Sequence, residues 1–127
     1  MSKINKKILI VEDDKDFLWL LKEEFEKIGF SVITAKDGHE GLTLAEKESP
    51  DLMLLDIILP KLDGISLAEE LRAKNIKTPI MFLTNMKDAQ HISDAIEAVH
   101  ETEYMIKSDI AISDIIRKVK NKLNIDL

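Results

Sequence analysis

The run LLDIILPKLDG, from Leu54 to Gly64, contains a contradiction. Apolar residues flank Asp56 on both sides, yet burying an ionised carboxylate is costly unless it is paired or bound to a metal. The run before the acid, DLMLL at 51–55, is nearly continuous in apolar residues after Asp51 rather than alternating. That is the pattern of a strand covered on both faces, as in a parallel sheet flanked by helices. Pro60 and Gly64 then end the strand in a turn.

Four further runs share this character: KILIV (7–11), SVITA (31–35), PIMFL (79–83) and EYMIK (103–107). Between them the apolar period becomes helical. Leu18, Leu21, Phe25 and Ile28 share one face, with Gly29 as the expected C-cap. Leu42 and Ala45 begin a second face that ends before Pro50, and Leu67, Ala68 and Leu71 mark a third. Ile92, Ala95, Ile96 and Val99 define a fourth helix, and Ile112, Ile115, Ile116, Val119 and Leu123 a fifth. The order (βα)5 predicts a doubly wound α/β fold with a five-stranded parallel sheet.

The chain has 127 residues, which is the size of one domain. Residues 1–127 are expected to form a single unit with a tail over 1–6 and no output domain. Net charge is −6, which argues against a broad nucleic-acid footprint. There is no cysteine, hence no disulfide or thiolate metal site. The apolar run after the basic start is too short for a signal peptide, and no segment approaches the ~20 apolar residues of a membrane span. A soluble, cytoplasmic protein without membrane contact is the expectation.

Ligands of doubly wound sheets bind beyond the C-terminal strand ends. Strand 1 ends in Glu12, Asp13 and Asp14, strand 3 in Asp56, strand 4 in Thr84 and strand 5 in Lys107. In the flavodoxin-like order 2-1-3-4-5, strands 1 and 3 are neighbours, so their acids converge with a hydroxyl and an ammonium opposite. Each group also has an ordinary reading: Asp14 and Asp16 suit a helix N-terminus, Thr84 suits a strand, and Lys107 a wet surface. Asp56 resists such a reading. Clustered carboxylates repel, and a hard divalent cation with all-oxygen ligands, Mg²⁺, relieves that repulsion. A carboxylate beside the metal can take a phosphoryl group, whose oxygens the metal, lysine and hydroxyl would neutralise.

With these residues in place, the chain resembles the receiver domain of two-component response regulators, of the single-domain, chemotaxis-regulator-like type, over essentially its whole length. ILIVEDD resembles the family's acidic pair, LLDIILPKLDG its phosphoacceptor segment, FLTN the segment of its switch hydroxyl, and YMIK that of its lysine and switch aromatic. The resemblance implies that Asp13 binds Mg²⁺ directly and Glu12 through water. Asp56 is the phosphoacceptor and a metal ligand, together with the backbone carbonyl of Ile58. Thr84 and Lys107 assist the phosphotransfer, and Thr84 and Tyr104 form the switch. It implies as partners a sensor histidine kinase or phosphotransfer protein and an unknown downstream protein, bound on the face of helix 4, strand 5 and helix 5. The same face would serve a homodimer. No direct nucleic-acid contact and no enzymatic turnover beyond slow self-dephosphorylation are expected.

Three positions depart from the family pattern. Lys107-Ser108 stands where Lys-Pro with a cis bond is usual, and cis without proline costs roughly 2.5–4 kcal/mol, so this loop is expected to differ. Asn85 stands where a small residue is usual, and His100-Glu101 replaces a Gly-Ala pair. His39, His91 and His100 lack metal-ligand spacing and read as surface residues, whereas Trp19 and the methionines read as core or boundary. Two rival functions are an aspartate-dependent phosphatase resembling the haloacid dehalogenases and a degenerate receiver that only binds. The first would need Asp-x-Asp-x-Thr/Val, but in DKDFL Leu18 holds the last position.

Overall fold

A computed structural model describes residues 4–85 and 103–125. The predicted fourth helix, Met86, His91, His100 and Glu101 therefore lie outside the described residues. Five strands, β1 (Lys7–Val11), β2 (Ser31–Ala35), β3 (Leu52–Asp56), β4 (Ile80–Thr84) and β5 (Tyr104–Ile106), form one sheet. All pairings are parallel, in the order β2-β1-β3-β4-β5. Strands 1 and 2 match their apolar runs residue for residue. β3 and β4 start one residue later than their runs, and β5 is shorter, because Lys107 opens a short 3-10 turn to Asp109.

Strand alternation divides the core in two. Leu9, Val11, Met53, Leu55, Ile80 and Phe82 point to one side of the sheet. There they meet helices α2 (Gly38–Glu48) and α3 (Gly64–Ala73) through Ala45, Leu67 and Leu71. Ile8, Ile10, Leu52, Leu54, Met81, Leu83 and Met105 point to the other side. They meet α1 (Lys15–Lys27) and the C-terminal helix (Ile112–Lys122) through Leu21, Phe25, Ile115 and Val119. Burying each such side chain contributes roughly 1.5–3 kcal/mol, which explains why both faces had to be apolar.

The helix ends follow local chemistry. Asp14 caps α1 by accepting the amides of Asp16 and Phe17. Asp37 caps α2 and Asp63 caps α3 in the same way. Gly29 does not occupy the C-cap itself, which is Ile28; it follows one residue later with φ of 112°, a conformation that costs glycine little. Trp19 is a correction to the sequence reading: it is 61% exposed. The inward face of α1 is set by Leu21 and Phe25, and Trp19 lies on the outer side with Leu20. Met53, Met81 and Met105 are buried and His39 is exposed, as their sequence contexts suggest.

Candidate functional site at the strand ends

The alternation that sorts the core also sorts the polar groups. Glu12, Asp56 and Lys107 each follow by two residues a side chain packed toward α1: Ile10, Leu54 and Met105. They therefore continue that same side of the sheet at its C-terminal edge. Val11 pairs with Leu55 in register, so the two acids leave β1 and β3 side by side. Thr84 follows Phe82, which packs on the opposite side, and Phe82 pairs with Tyr104. The strand ends thus carry an acidic group on one side and a Thr84–Tyr104 column on the other.

On the acidic side the Lys107 Nζ lies 2.7 Å from Glu12 Oε1 and 3.0 Å from Asp56 Oδ2. It also sits 5.2 Å above the centre of the Phe17 ring. Glu12 is fully buried and Asp56 is 5% exposed. Asp56 Oδ1 accepts the Ile58 amide at 3.3 Å, and Glu12 Oε2 accepts the Asp14 amide at 3.0 Å. The contact with Lys107 brings charge to Glu12 Oε1 without hydrogen-bond alignment, so that buried oxygen has no hydrogen-bond partner among the described residues. The Lys107–Ser108 peptide is trans, unlike the family's usual Lys-Pro link.

Charge in this group is unbalanced. Burial pushes the Glu12 carboxyl up to about 7; the Lys107 contact opposes this and the nearby Asp56 charge adds to it. Burial pulls the Lys107 ammonium down, but its contacts with Glu12 and Asp56 outweigh this and leave its pKa raised. Oxygens of Glu12, Asp13 and Asp56 lie within 4.8 Å of one another. With all three acids ionised against one ammonium, the group would carry an excess of negative charge that a divalent cation would cancel. The buried Glu12 oxygen, held by an ion pair but by no hydrogen bond among the described residues, and the all-oxygen donor set fit a hard cation such as Mg²⁺.

The remaining groups have other surroundings. The buried Thr84 hydroxyl donates to the carbonyl of Asn85 at 3.3 Å. Tyr104 is 37% exposed on β5, and Ile58 is 56% exposed beside the acids. Asp14 is occupied in capping and Asp16 stands exposed in the first turn of α1, while Leu18 packs on the core. These surroundings do not favour a dehalogenase-like phosphatase. Sequence reasoning singled out Gly64 only as a turn residue and did not single out Gly38. A Cβ on Gly64 would lie 2.3 Å from the Asp56 carbonyl oxygen, and one on Gly38 would lie 1.8 Å from that of Leu62. Only the DG pairs at 37–38 and 63–64 hinted at such close backbone approach.

Residues 8–120 match the family model of the response regulator receiver domain. The alkaline phosphatase synthesis transcriptional regulatory protein PhoP of Bacillus subtilis is 49% identical over 81 residues, covering 64% of this chain and 34% of that protein. A probable transcriptional regulator of Porphyra purpurea is 36% identical over 107 residues, covering 84% of this chain and 43% of that protein. The chain thus spans less than half the length of these curated relatives. Among solved structures, the CheY-like receiver domain protein of Methanospirillum hungatei superposes with a TM-score of 0.85 at 30% identity, covering 97% of this chain and 95% of that one. A Francisella response regulator receiver domain gives 0.82 at 32% identity, over 91% and 94% of the two chains.

Proposed function

The chain belongs to the family of response regulator receiver domains, and from that membership we propose that Asp56 accepts a phosphoryl group from a phosphohistidine. The donor is a sensor histidine kinase or a phosphotransfer protein. The observation that carries this reading is the bridging of Asp56 and Glu12 by one largely buried ammonium, Lys107, at the sheet edge. In the reaction an Asp56 carboxylate oxygen bonds to phosphorus while the phosphorus–nitrogen bond breaks and the imidazole leaves with a proton. Lys107 faces the incoming oxygens as a fixed positive charge, worth more in a dry site than in water. Glu12, Asp13, Asp56 and the Ile58 carbonyl would hold Mg²⁺, which supplies neutralisation of phosphoryl charge.

Phosphoryl oxygens are strong acceptors and attract hydroxyl donors. The Thr84 hydroxyl, now on its neighbour's carbonyl, turns toward phosphorylated Asp56, and Tyr104 moves inward into the vacated space. The signal is read by a downstream protein on the face that includes β5 and the C-terminal helix, or by a second copy there. The fourth helix assigned to that face lies outside the described residues. We read the domain as a signalling element without substrate turnover. It acts in the cytoplasm, off the membrane and without itself touching nucleic acid, in keeping with its net charge of −6. Among the described residues no helix is long and apolar enough to cross a membrane.

The test is intact-mass analysis of wild type and Asp56→Asn with a small phosphodonor or a kinase, with and without Mg²⁺. Wild type gains one phosphoryl group only with Mg²⁺, and the variant gains none. Equal labelling of both proteins overturns the assignment of Asp56. A wild type that no donor labels would instead be a degenerate receiver that only binds.

A further inference from the structure

The segment between β3 and α3 carries Ile58, and its path is fixed at several points. Ile57 and Leu59 are buried to either side of Ile58, at 3% and 9% exposure. The loop closes on itself, with the Leu62 amide donating to the Pro60 carbonyl at 2.7 Å and the Gly64 amide to the Ile57 carbonyl at 2.8 Å. Lys61 between them adopts φ of 69°, which an L side chain rarely takes. A loop so constrained needs a wall, and the start of α2 provides it. The Gly38 amide donates to the Pro60 carbonyl at 3.3 Å, and Lys61 Nζ lies 3.6 Å from the Asp37 carboxylate. The fit is tight enough that a Cβ on Gly38 would overlap the Leu62 carbonyl, 1.8 Å from its oxygen and 2.6 Å from its carbon. Backbone cannot yield as a flexible side chain can.

We propose that Gly38 is a positioning residue for the cation: it lets α2 seat the 57–63 loop and thereby aims the Ile58 carbonyl at the acidic group. This rests on the reading of Glu12, Asp13, Asp56 and Ile58 as a Mg²⁺ site. Gly38→Ala forces the loop outward and misdirects that carbonyl while leaving the three carboxylates in place. Partners that orient a metal ligand typically govern affinity by 10–100-fold, so a loss of about tenfold in Mg²⁺ affinity is expected.

Gly41 supplies the control. It lies one turn later in α2, where a Cβ would meet the Val11 and Leu67 side chains at 3.0–3.2 Å, away from the loop. Gly41→Ala perturbs packing on Val11 and Leu67 without touching the loop, so its Mg²⁺ affinity should fall by clearly less than that of Gly38→Ala. Calorimetric titration with Mg²⁺ alone compares the three proteins. Equal affinity in wild type and Gly38→Ala overturns the positioning role but leaves the site reading intact; an equal loss in both variants also overturns it. Absence of Mg²⁺ binding by wild type overturns the site reading and the inference together. Should Gly38→Ala not fold, wild type still decides. Coupling is reciprocal, so Mg²⁺ must slow hydrogen exchange at the Gly38 amide and leave the Gly41 amide unchanged. An unchanged Gly38 rate rules the brace out.

Discussion

Glu12 is the residue where stability and function pull apart. Its carboxyl ionises near 7 in the folded apo protein and near 4.5 in the unfolded chain. Between those values the folded state holds the proton and the unfolded state does not. Apo stability therefore falls as pH rises from about 4.5 through 7, by on the order of 3 kcal/mol in total. Thermal unfolding of wild type and Glu12→Gln across pH 5–8 without metal should show that slope in wild type and its loss in the variant. A cation needs the ionised carboxylate, so Mg²⁺ affinity should weaken below about pH 7; a flat affinity from pH 6 to 8 would place Glu12 outside the binding equilibrium. Trp19 offers the opposite case. Being 61% exposed, it should tolerate Trp19→Ala within about 0.5 kcal/mol, whereas a larger loss in urea titration would return it to the core.

The loops that join elements would set how long a phosphoryl signal lasts, and they anchor α3. Hydrolysis of an acyl phosphate needs a placed water and a base, and a positioned base contributes about 10²–10⁴-fold. Ile58, exposed beside Asp56, can neither orient water nor take its proton. The phosphorylated state should therefore decay slowly, and Ile58→Asn should decay faster when followed by mass spectrometry. An unchanged rate would mean that this side chain does not set the lifetime. At the other end of α3, the Arg72 guanidinium donates to the carbonyls of Ile76 at 2.7 Å and Thr78 at 2.9 Å. Removing it leaves two carbonyls of the turn into β4 short of donors. Arg72→Ala should cost about 1–3 kcal/mol without altering Asp56 labelling.

Across the whole molecule, the sheet acts as a partition. Acids and ammonium project on the α1 side, while Thr84 and Tyr104 share the opposite side through the Phe82–Tyr104 pairing. On the proposed switch, a signal would cross the strand ends from one side to the other through Thr84. NMR spectra with Mg²⁺ and beryllofluoride should show shifts that start at Asp56 and extend through Thr84 to Tyr104 and the C-terminal helix. Shifts confined to Glu12, Asp13, Asp56 and Lys107 would contradict a switch across the sheet. Two states separated by only a few kcal/mol suffice for such a shift in population.

Much of this was legible in residue order alone. Five nearly continuous apolar runs separated by helical periods point to a parallel sheet covered on both faces, where the central strands are buried on both sides. Four polar groups at the strand ends follow from where those runs stop, and Asp14 read as a cap because an acid before a helix meets free amides. What the sequence could not decide depends on distances between segments far apart in the chain. Trp19 was misread because helical period marks a face but not how far the core extends around it. The division of Glu12, Asp56 and Lys107 from Thr84 and Tyr104 requires the pairing register, which only the assembled sheet defines. The Glu12 shift requires its burial beside Lys107 and Asp56. The demand for glycine at 38 and 64 exists only because tertiary packing brings the carbonyl oxygens of Leu62 and Asp56 to where a Cβ would stand.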